Sequence, residues 1–234
     1  YEKNAKRCPW YRPEAQRFRI LQTVNNLHLI SSEGVPRCLT EDERNTLLGV
    51  LDRQASLPFK DAKKLLGFKP REILFDLEDG GEKRLLGNTT QAKMLGLFGD
   101  KWLEWEETQQ EKVLQDLVSV EKEELLRKRG QAYGLEGAAL DDFCDLVLEP
   151  DYCGLSRRAL KKLLPLMEKG VSYMTAVAAG YPEHNAAGAA EDALPGVDTV
   201  FPDLRNPVVH RCLTELRHCV NAIVKQYGVP DRIH

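Results

Sequence analysis

Apolar residues recur at helical spacing through most of the chain, most clearly in the segment that closes it. Asn206 is a favourable N-cap, Pro207 suits the first helical position, and Gly228 supplies the C′ stop. The pattern therefore predicts a buried helix over residues 206–228 with one broad apolar stripe. The stripe comprises Val208, Val209, Cys212, Leu213, Leu216, Cys219, Val220, Ile223, Val224 and Tyr227.

The same spacing predicts helices in nearly every earlier segment. Thr40 with Glu43 is a capping-box signature, Thr89 or Thr90 is the expected cap of a later helix, and Ser156 caps another. The predicted helices cover residues 14–30, 40–51, 60–66, 91–98, 102–126, 135–148, 156–169 and 171–179. We therefore predict an all-α fold, an irregular multi-helix bundle.

Two segments depart from helical spacing. Residues 73–86 hold two short apolar stretches around Asp79-Gly80-Gly81, which favours either one small hairpin or a loop. Residues 181–203 are rich in Ala, Gly and Pro, which is typical of a flexible connector. The predicted organisation is an α-helical region over residues 1–180, the connector over 181–203, and a closing helix within 204–234.

Composition describes an ordinary globular protein of 234 residues, 42% hydrophobic and 29% charged. No apolar run approaches the roughly 18 residues that cross a membrane. The six cysteines are scattered without a Cys-x-x-Cys pair, which favours a reducing cytoplasm over disulfides or zinc. Cys212 and Cys219 are predicted to be small core residues. The first residue is Tyr1 rather than Met, so we expect a piece of a longer polypeptide.

The net charge of −3 hides an uneven distribution. Residues 1–20 carry six basic and two acidic side chains, and residues 154–170 carry five basic and one acidic. Residues 104–124 carry eight acidic and two basic side chains. Two basic regions are therefore separated along the chain by an acidic one.

Motifs of hydrolytic, nucleotide-binding or redox enzymes are absent from the sequence. It has no Gly-x-Ser-x-Gly, Walker loop, Gly-x-Gly-x-x-Gly or His-Glu-x-x-His. His210 and His218 lie eight residues apart on the closing helix, which leaves a metal-dependent hydrolase as a weak hypothesis against an exposed helix face. We predict no catalytic residue and no metal ligand.

A basic helix is the first candidate binding site. Arg157, Arg158, Lys161 and Lys162 share one side of it. The backbone at Gly154, Leu155 and Ser156 precedes the helix N-terminus, a natural phosphate site. The pattern fits contacts to a nucleic-acid backbone, and the alternative is a solvated basic face.

The N-terminal segment is the second candidate site. Trp10, Arg12, Arg17 and Arg19 interleave aromatic and basic side chains, a mixture that suits phosphate contacts together with stacking on unpaired bases. The alternative is a basic tail followed by aromatic residues of the core.

Four ordered blocks resemble type II CRISPR RNA-guided DNA endonucleases, the Cas9 family, and fit the compact type II-C branch best. The first, Leu204-Arg205-Asn206-Pro207-Val208-Val209-x-Arg211 continuing to Ile233-His234, resembles the helix before the second RuvC motif. The others are Cys8-Pro9-Trp10 with Ala15-Gln16-Arg17-Phe18 and Asn25-Asn26-Leu27, then Leu39-Thr40 with Glu43-Arg44, then Leu155-Ser156-x-x-Ala159-Leu160 with Leu164-Pro165-Leu166-Met167-Glu168.

The resemblance implies a portion of the α-helical recognition lobe. Its partners would be the guide RNA, the target DNA as RNA–DNA heteroduplex, and the rest of the parent nuclease, including the bridge helix and RuvC core. It adds Arg205 and Arg211 as candidate nucleic-acid contacts. It implies no cofactor in this chain, Mg²⁺ for the parent nuclease, and a prokaryotic cytoplasm. A free-standing helical protein-interaction module, whose acidic helices bind a basic partner, is the alternative.

Overall fold

The computed structural model describes residues 5–31, 34–69, 72–182 and 193–228. The chain divides into two compact units, Tyr1–Tyr181 and Pro182–His234. Across the described residues there are thirteen helices and seven short strands. The fold is therefore mostly helical, but the all-α prediction is incomplete because the strands form three small antiparallel sheets.

The helices and strands of the first unit follow one another closely along the chain. The helices are α1 (Pro13–Val24), α2 (Glu41–Leu51), α3 (Phe59–Leu65), α4 (Asp76–Asp79), α5 (Thr89–Phe98), α6 (Lys101–Glu104), α7 (Glu107–Ser119), α8 (Glu123–Ala132), α9 (Gly137–Asp145), α10 (Arg157–Met167) and α11 (Tyr173–Gly180). The strands are β1 (Arg7–Pro9), β2 (His28–Ser31), β3 (Pro36–Cys38), β4 (Ser56–Pro58), β5 (Ile73–Phe75), β6 (Arg84–Leu86) and β7 (Tyr152–Ser156).

Strand pairing joins segments that are distant in sequence, except that β2 and β3 follow each other along the chain. β1 pairs with β7, β2 lies between β3 and β5, and β4 pairs with β6. Of the two alternatives for residues 73–86, the hairpin is wrong, because β5 and β6 pair with different strands. Helix α4 and the turn closed by the amide of Glu82 on the carbonyl of Leu77 lie between them. The β1–β7 pair places the N-terminal segment beside the start of α10.

Helix boundaries agree with the sequence where the caps are strong. Thr40 forms the predicted capping box with Glu43, and the Ser156 side chain caps α10 at the amide of Ala159. The cap of α5 is Asn88, so the prediction of Thr89 or Thr90 is wrong.

Two predicted helices are interrupted. The helix over 14–30 ends at Val24, after which residues 28–31 form β2. The helix over 102–126 is three helices, because the backbone is extended at Trp105, Glu106 and Val120. The Gln110 side chain donates to the carbonyls of Trp102 (2.7 Å) and Trp105 (3.3 Å) and so satisfies backbone groups at the first break.

The first unit contains two hydrophobic clusters. One is formed by α1, α2, α10 and the small sheets, and it includes Phe18, Leu47, Phe75 and Leu160. The other is formed by α5 to α9 around Trp102 and Phe143. α1 and α10 therefore share a core, which fixes the positions of the basic residues that they carry.

The described part of the second unit holds α12 (Val197–Val200) and α13 (Pro207–Tyr227). Asn206 caps α13 at the amides of Val208 and Val209, as predicted. The prediction that this helix is buried is wrong, since none of its residues is buried. Cys212 and Cys219 are exposed and are not core residues. α12 is too short to cover a helix of 21 residues. Residues 183–192 of the predicted connector lie outside the described residues.

Candidate nucleic-acid interface

Helix α10 separates its basic and apolar residues onto two faces, as predicted. Leu160, Leu163 and Met167 are buried in the first cluster, while Arg158, Lys161 and Lys162 are exposed. The Lys162 ammonium lies 4.1 Å from the ring centroid of Tyr181, a cation–π contact. The helix therefore presents positive charge on a surface that its packing holds in place.

Strand β7 carries the residues that were expected to offer backbone amides. Gly154 and Leu155 lie in this strand, before the first turn of α10, and Ser156 is its last residue and the helix cap. Arg7 of β1 is the pairing partner of Ser156, and both Lys6 and Arg7 are exposed. Sequence reasoning did not connect Lys6 and Arg7 with α10, because the connection depends on the pairing of two distant strands.

Arg157 is enclosed by carboxylates. Its Nε lies 2.6 Å from Oε1 of Glu14, and its Nη1 lies 2.6 Å from Oε1 of Glu111. Glu107 is 3.8 Å away. The hydrogen bond to Glu14 is the main reason that the pKa of Arg157 is raised, and Glu111 adds to it. The positive charge of Arg157 is therefore largely compensated within the chain.

Arg12 shares a carboxylate with Arg157. Its Nη1 donates to Oε1 of Glu111 and its Nη2 to the side-chain oxygen of Gln115 at 3.4 Å. Burial raises the pKa of Glu111, but the hydrogen bonds from Arg157 and Arg12 outweigh it, so that this pKa lies below its ordinary value. The predicted contact residues Arg12 and Arg157 are thus brought together on one acidic side chain of α7.

Arg17 is held between two acidic side chains. It donates twice to Glu168 at 2.7 Å and once to Asp52 at 2.9 Å. Burial lowers the pKa of Arg17, but the hydrogen bonds and charges of Glu168 and Asp52 raise it by more. The pKa therefore lies above its ordinary value. Arg17 therefore fastens α1 to the ends of α2 and α10.

Arg19 and Trp10 belong to a second network. Arg19 contacts Glu149 at 2.5 Å and lies 5.3 Å from the ring centroid of the half-buried Trp10. Gln16, fully buried, donates to the carbonyl of Trp10 and to Glu149. These contacts hold the N-terminal segment on α1.

The remaining predicted positions lie in the second unit. Arg205 and Arg211 are exposed there. His210 Nε2 lies 2.9 Å from a carboxylate oxygen of Asp198. Within the residues that the structure describes, no group of three or more His, Cys, Asp or Glu side chains has the arrangement of a metal site. None of the helices in this part of the chain combines the length and apolarity needed to span a membrane.

Comparison with known proteins gives consistent matches. The family model of the Cas9 alpha-helical lobe domain matches residues 1–133. The CRISPR-associated endonuclease Cas9 of Campylobacter jejuni is 29% identical over 241 aligned positions, covering 98% of this chain and 23% of that protein. The Cas9 of Actinomyces naeslundii is 40% identical over 70 positions, covering 29% of this chain and 6% of that protein. The chain thus spans about a quarter of the length of the C. jejuni relative.

Solved structures agree. The crystal structure of C. jejuni Cas9 in complex with sgRNA and target DNA matches with a TM-score of 0.52 at 27% identity, over 97% of this chain and 29% of that one. The type II-C Cas9 enzyme from A. naeslundii matches with a TM-score of 0.54 at 24% identity, over 98% of this chain and 26% of that one. The second match supports the fold alone.

Proposed function

The chain belongs to the Cas9 family, whose α-helical lobe domain it carries, and on that premise we propose that it binds nucleic acid within an RNA-guided DNA endonuclease. The proposed ligands are the repeat:anti-repeat duplex of the guide RNA and the guide–target heteroduplex, held through backbone and shape. The C. jejuni relative of known structure is in complex with sgRNA and target DNA, which supports this choice of ligand. The proposed location is the prokaryotic cytoplasm.

One observation carries the proposal: an exposed set of basic residues at the junction of β1, β7 and α10. This basic surface consists of Lys6, Arg7, Arg158, Lys161 and Lys162. Basic side chains on a rigid scaffold bind phosphates without reading sequence. The backbone at Gly154, Leu155 and Ser156 lies in the same place and is proposed to approach the phosphates closely.

The other predicted contact residues have different parts in this proposal. Arg17 and Arg19 hold α1 through their ion pairs, and Trp10 is packed under Arg19. Arg205 and Arg211 remain proposed contacts on the second unit, where both are exposed.

We place DNA cleavage and its Mg²⁺ requirement in other parts of the parent nuclease. The sequence carries none of the common hydrolytic motifs, and His210 is hydrogen-bonded to Asp198. Addition of Mg²⁺ to this chain with guide RNA and target DNA should therefore leave the DNA intact. Cleavage that depends on His210 and His218 would contradict this assignment.

The exposed stripe of α13 is proposed to pack on the rest of the parent nuclease. Val208, Leu216, Ile223 and Tyr227 are each more than half exposed, at 69%, 58%, 57% and 76%. An apolar helix face of this kind is typical of an interface. In the proposal, the bridge helix and RuvC core supply the covering surface.

Substitution of the basic surface tests nucleic-acid binding. We expect Arg158→Ala, Lys161→Ala and Lys162→Ala together to weaken binding of guide RNA roughly tenfold to a hundredfold, because three phosphate contacts are lost. The matched control removes three exposed lysines elsewhere, Lys60, Lys64 and Lys128. Circular dichroism verifies that both variants keep their helices.

The comparison of the two triple variants decides the result. A loss of affinity confined to the α10 variant supports the proposal. Equal affinities of both variants would overturn the assignment of this surface, and absence of RNA binding by the unsubstituted chain would favour a helical protein-interaction module.

A further inference from the structure

Arg12 and Arg157 are two arginines from different elements that converge on one anion. Arg12 is the N-cap residue of α1 and Arg157 is the first residue of α10. Both direct Nη1 to the same carboxylate oxygen, Oε1 of Glu111. The anion that lies between the two guanidinium groups belongs to this chain itself, on helix α7.

Helix α7 faces the arginines with a row of acceptors. Glu107, Glu111 and Gln115 lie at intervals of four residues, on one side of the helix. Glu111 contacts both arginines, Glu107 contacts Arg157 at 3.8 Å, and Gln115 contacts Arg12 at 3.4 Å. Three acceptors on successive turns of α7 therefore face the two arginines.

The guanidinium groups of Arg12 and Arg157 are donors of a kind that binds phosphate well. Guanidinium groups present several N–H donors in a planar fork that fits carboxylate and phosphate oxygens alike. The Arg12 side chain is 15% exposed and is thus held firmly, whereas Arg157 is 37% exposed, Glu111 34% and Glu107 76%. Arg12 is therefore enclosed, while the guanidinium of Arg157 and the carboxylate of Glu111 can both be reached from solvent.

Glu14 has a different position from Glu111. Its side chain is only 12% exposed, it lies in the first turn of α1, and it accepts from Nε of Arg157 at 2.6 Å. This contact orients Arg157 from within the unit and leaves its Nη1 directed to Glu111. The site can thus exchange Glu111 for another anion while Glu14 stays in place.

We propose that Arg12 and Arg157 form a phosphate-binding site, and that Glu111 occupies it in the free chain as a tethered competitor of nucleic-acid phosphate. The proposal rests on the proposed function for the source of the phosphate. When the backbone of the guide RNA reaches the site, a phosphate takes the place of the Glu111 carboxylate. Glu111 thereby excludes anions that bind the two arginines too weakly to displace its carboxylate.

Neutralisation of Glu111 tests this proposal in the full chain. Glu111→Gln should raise the affinity for guide RNA about twofold to fivefold, the range expected when a partly exposed ion pair no longer competes. The matched control is Glu121→Gln, an exposed site with the same change of charge. The gain should disappear when Arg12→Ala and Arg157→Ala are added to Glu111→Gln.

A second probe separates this proposal from the proposed function. Tripolyphosphate is titrated while the side-chain Nε–H signals of Arg12 and Arg157 are followed by NMR. Stronger binding of tripolyphosphate by Glu111→Gln than by Glu121→Gln supports the tethered competitor, whatever the result with guide RNA. Failure of guide RNA to bind any variant would overturn the proposed function alone. Equal binding by the two glutamine variants, or weaker binding by Glu111→Gln, would overturn the tethered competitor.

Discussion

Arg12 and Arg157 donate to the same carboxylate oxygen of Glu111, although one begins α1 and the other begins α10. This arrangement separates the basic residues of the first unit into two groups. Arg12, Arg17, Arg19 and Arg157 are paired with acidic side chains inside the unit. The residues of the basic surface are exposed, and they carry the proposed binding of nucleic acid.

Asn25 connects three segments of the first core. Its side-chain amide donates to the carbonyls of Met167 and Val171, both at 2.8 Å, and its oxygen accepts from Arg44 at 2.7 Å. Asn25→Ala removes the hydrogen bonds to the carbonyl of Val171 and to Nε of Arg44, whereas the carbonyl of Met167 keeps those from Arg44 Nη2 and the amide of Gly170. The substitution should cost about 1–3 kcal/mol of unfolding free energy, measured by urea denaturation.

The neighbouring residue provides the control for Asn25. Asn26 is exposed, and within the described residues its side chain donates to the carbonyl of Gln22, in its own turn, at 2.8 Å. Asn26→Ala should change stability by less than about 0.5 kcal/mol. Equal losses for both variants would contradict the connecting role of Asn25.

Gly130 is required by the contact of α8 with α9. A Cβ at this position would lie 2.5 Å from Leu140 Cδ1 and 3.0 Å from Phe143 Cδ1. Gly130→Ala should therefore destabilise the second core by about 1–3 kcal/mol, measured by thermal or urea unfolding.

Gly96 in α5 is the matched control, because a Cβ there meets no atom within 4 Å. Gly96→Ala should stabilise the helix by up to about 1 kcal/mol, since alanine has the higher helix propensity. A stabilising effect of Gly130→Ala would show that α8 and α9 do not pack as described.

Glu43 should make stability depend on pH. The hydrogen bond from Arg37 is the main reason that its pKa falls from 4.5 to about 2. Because the pKa is lower in the folded chain, the stabilisation is present above about pH 4.5 and is lost as the pH falls through about 2.

Glu43→Gln keeps a capping side chain but loses the ion pair. We expect a cost of about 0.5–1 kcal/mol at neutral pH, because Arg37 is 46% exposed, and this cost should fall away as the pH falls through about 2. Unfolding of both proteins across this pH range measures the difference, with Glu41→Gln as control. A cost that is the same at every pH would exclude the ion pair as its source.

The sequence predicted helices well where local signals are strong. The side chains of the caps Thr40 and Ser156 each accept a hydrogen bond from an amide three residues further along the chain. Because this contact is local, their helices begin where expected. The apolar and basic faces of α10 follow from helical spacing alone. The strands escaped prediction because they are only three to five residues long, and because most of them pair with distant segments.

The candidate site was predictable only in part for the same reason. Arg157 and Arg158 are neighbours with the same side chain, yet Arg157 is enclosed by Glu14 and Glu111 while Arg158 is exposed. The enclosure of Arg157 is decided by the packing of α1 and α7 beside α10. The position of Arg7 opposite Ser156 likewise depends on a strand pair that helical periodicity does not predict.

The salt dependence of guide-RNA binding tests the central claim most directly. The logarithm of the binding constant falls linearly with the logarithm of salt concentration, with a slope set by the number of phosphates contacted. The variant with Arg158→Ala, Lys161→Ala and Lys162→Ala should have a slope smaller in magnitude by about 2 to 3 than that of the unsubstituted chain. An unchanged slope would contradict the claim that the basic surface binds the phosphate backbone.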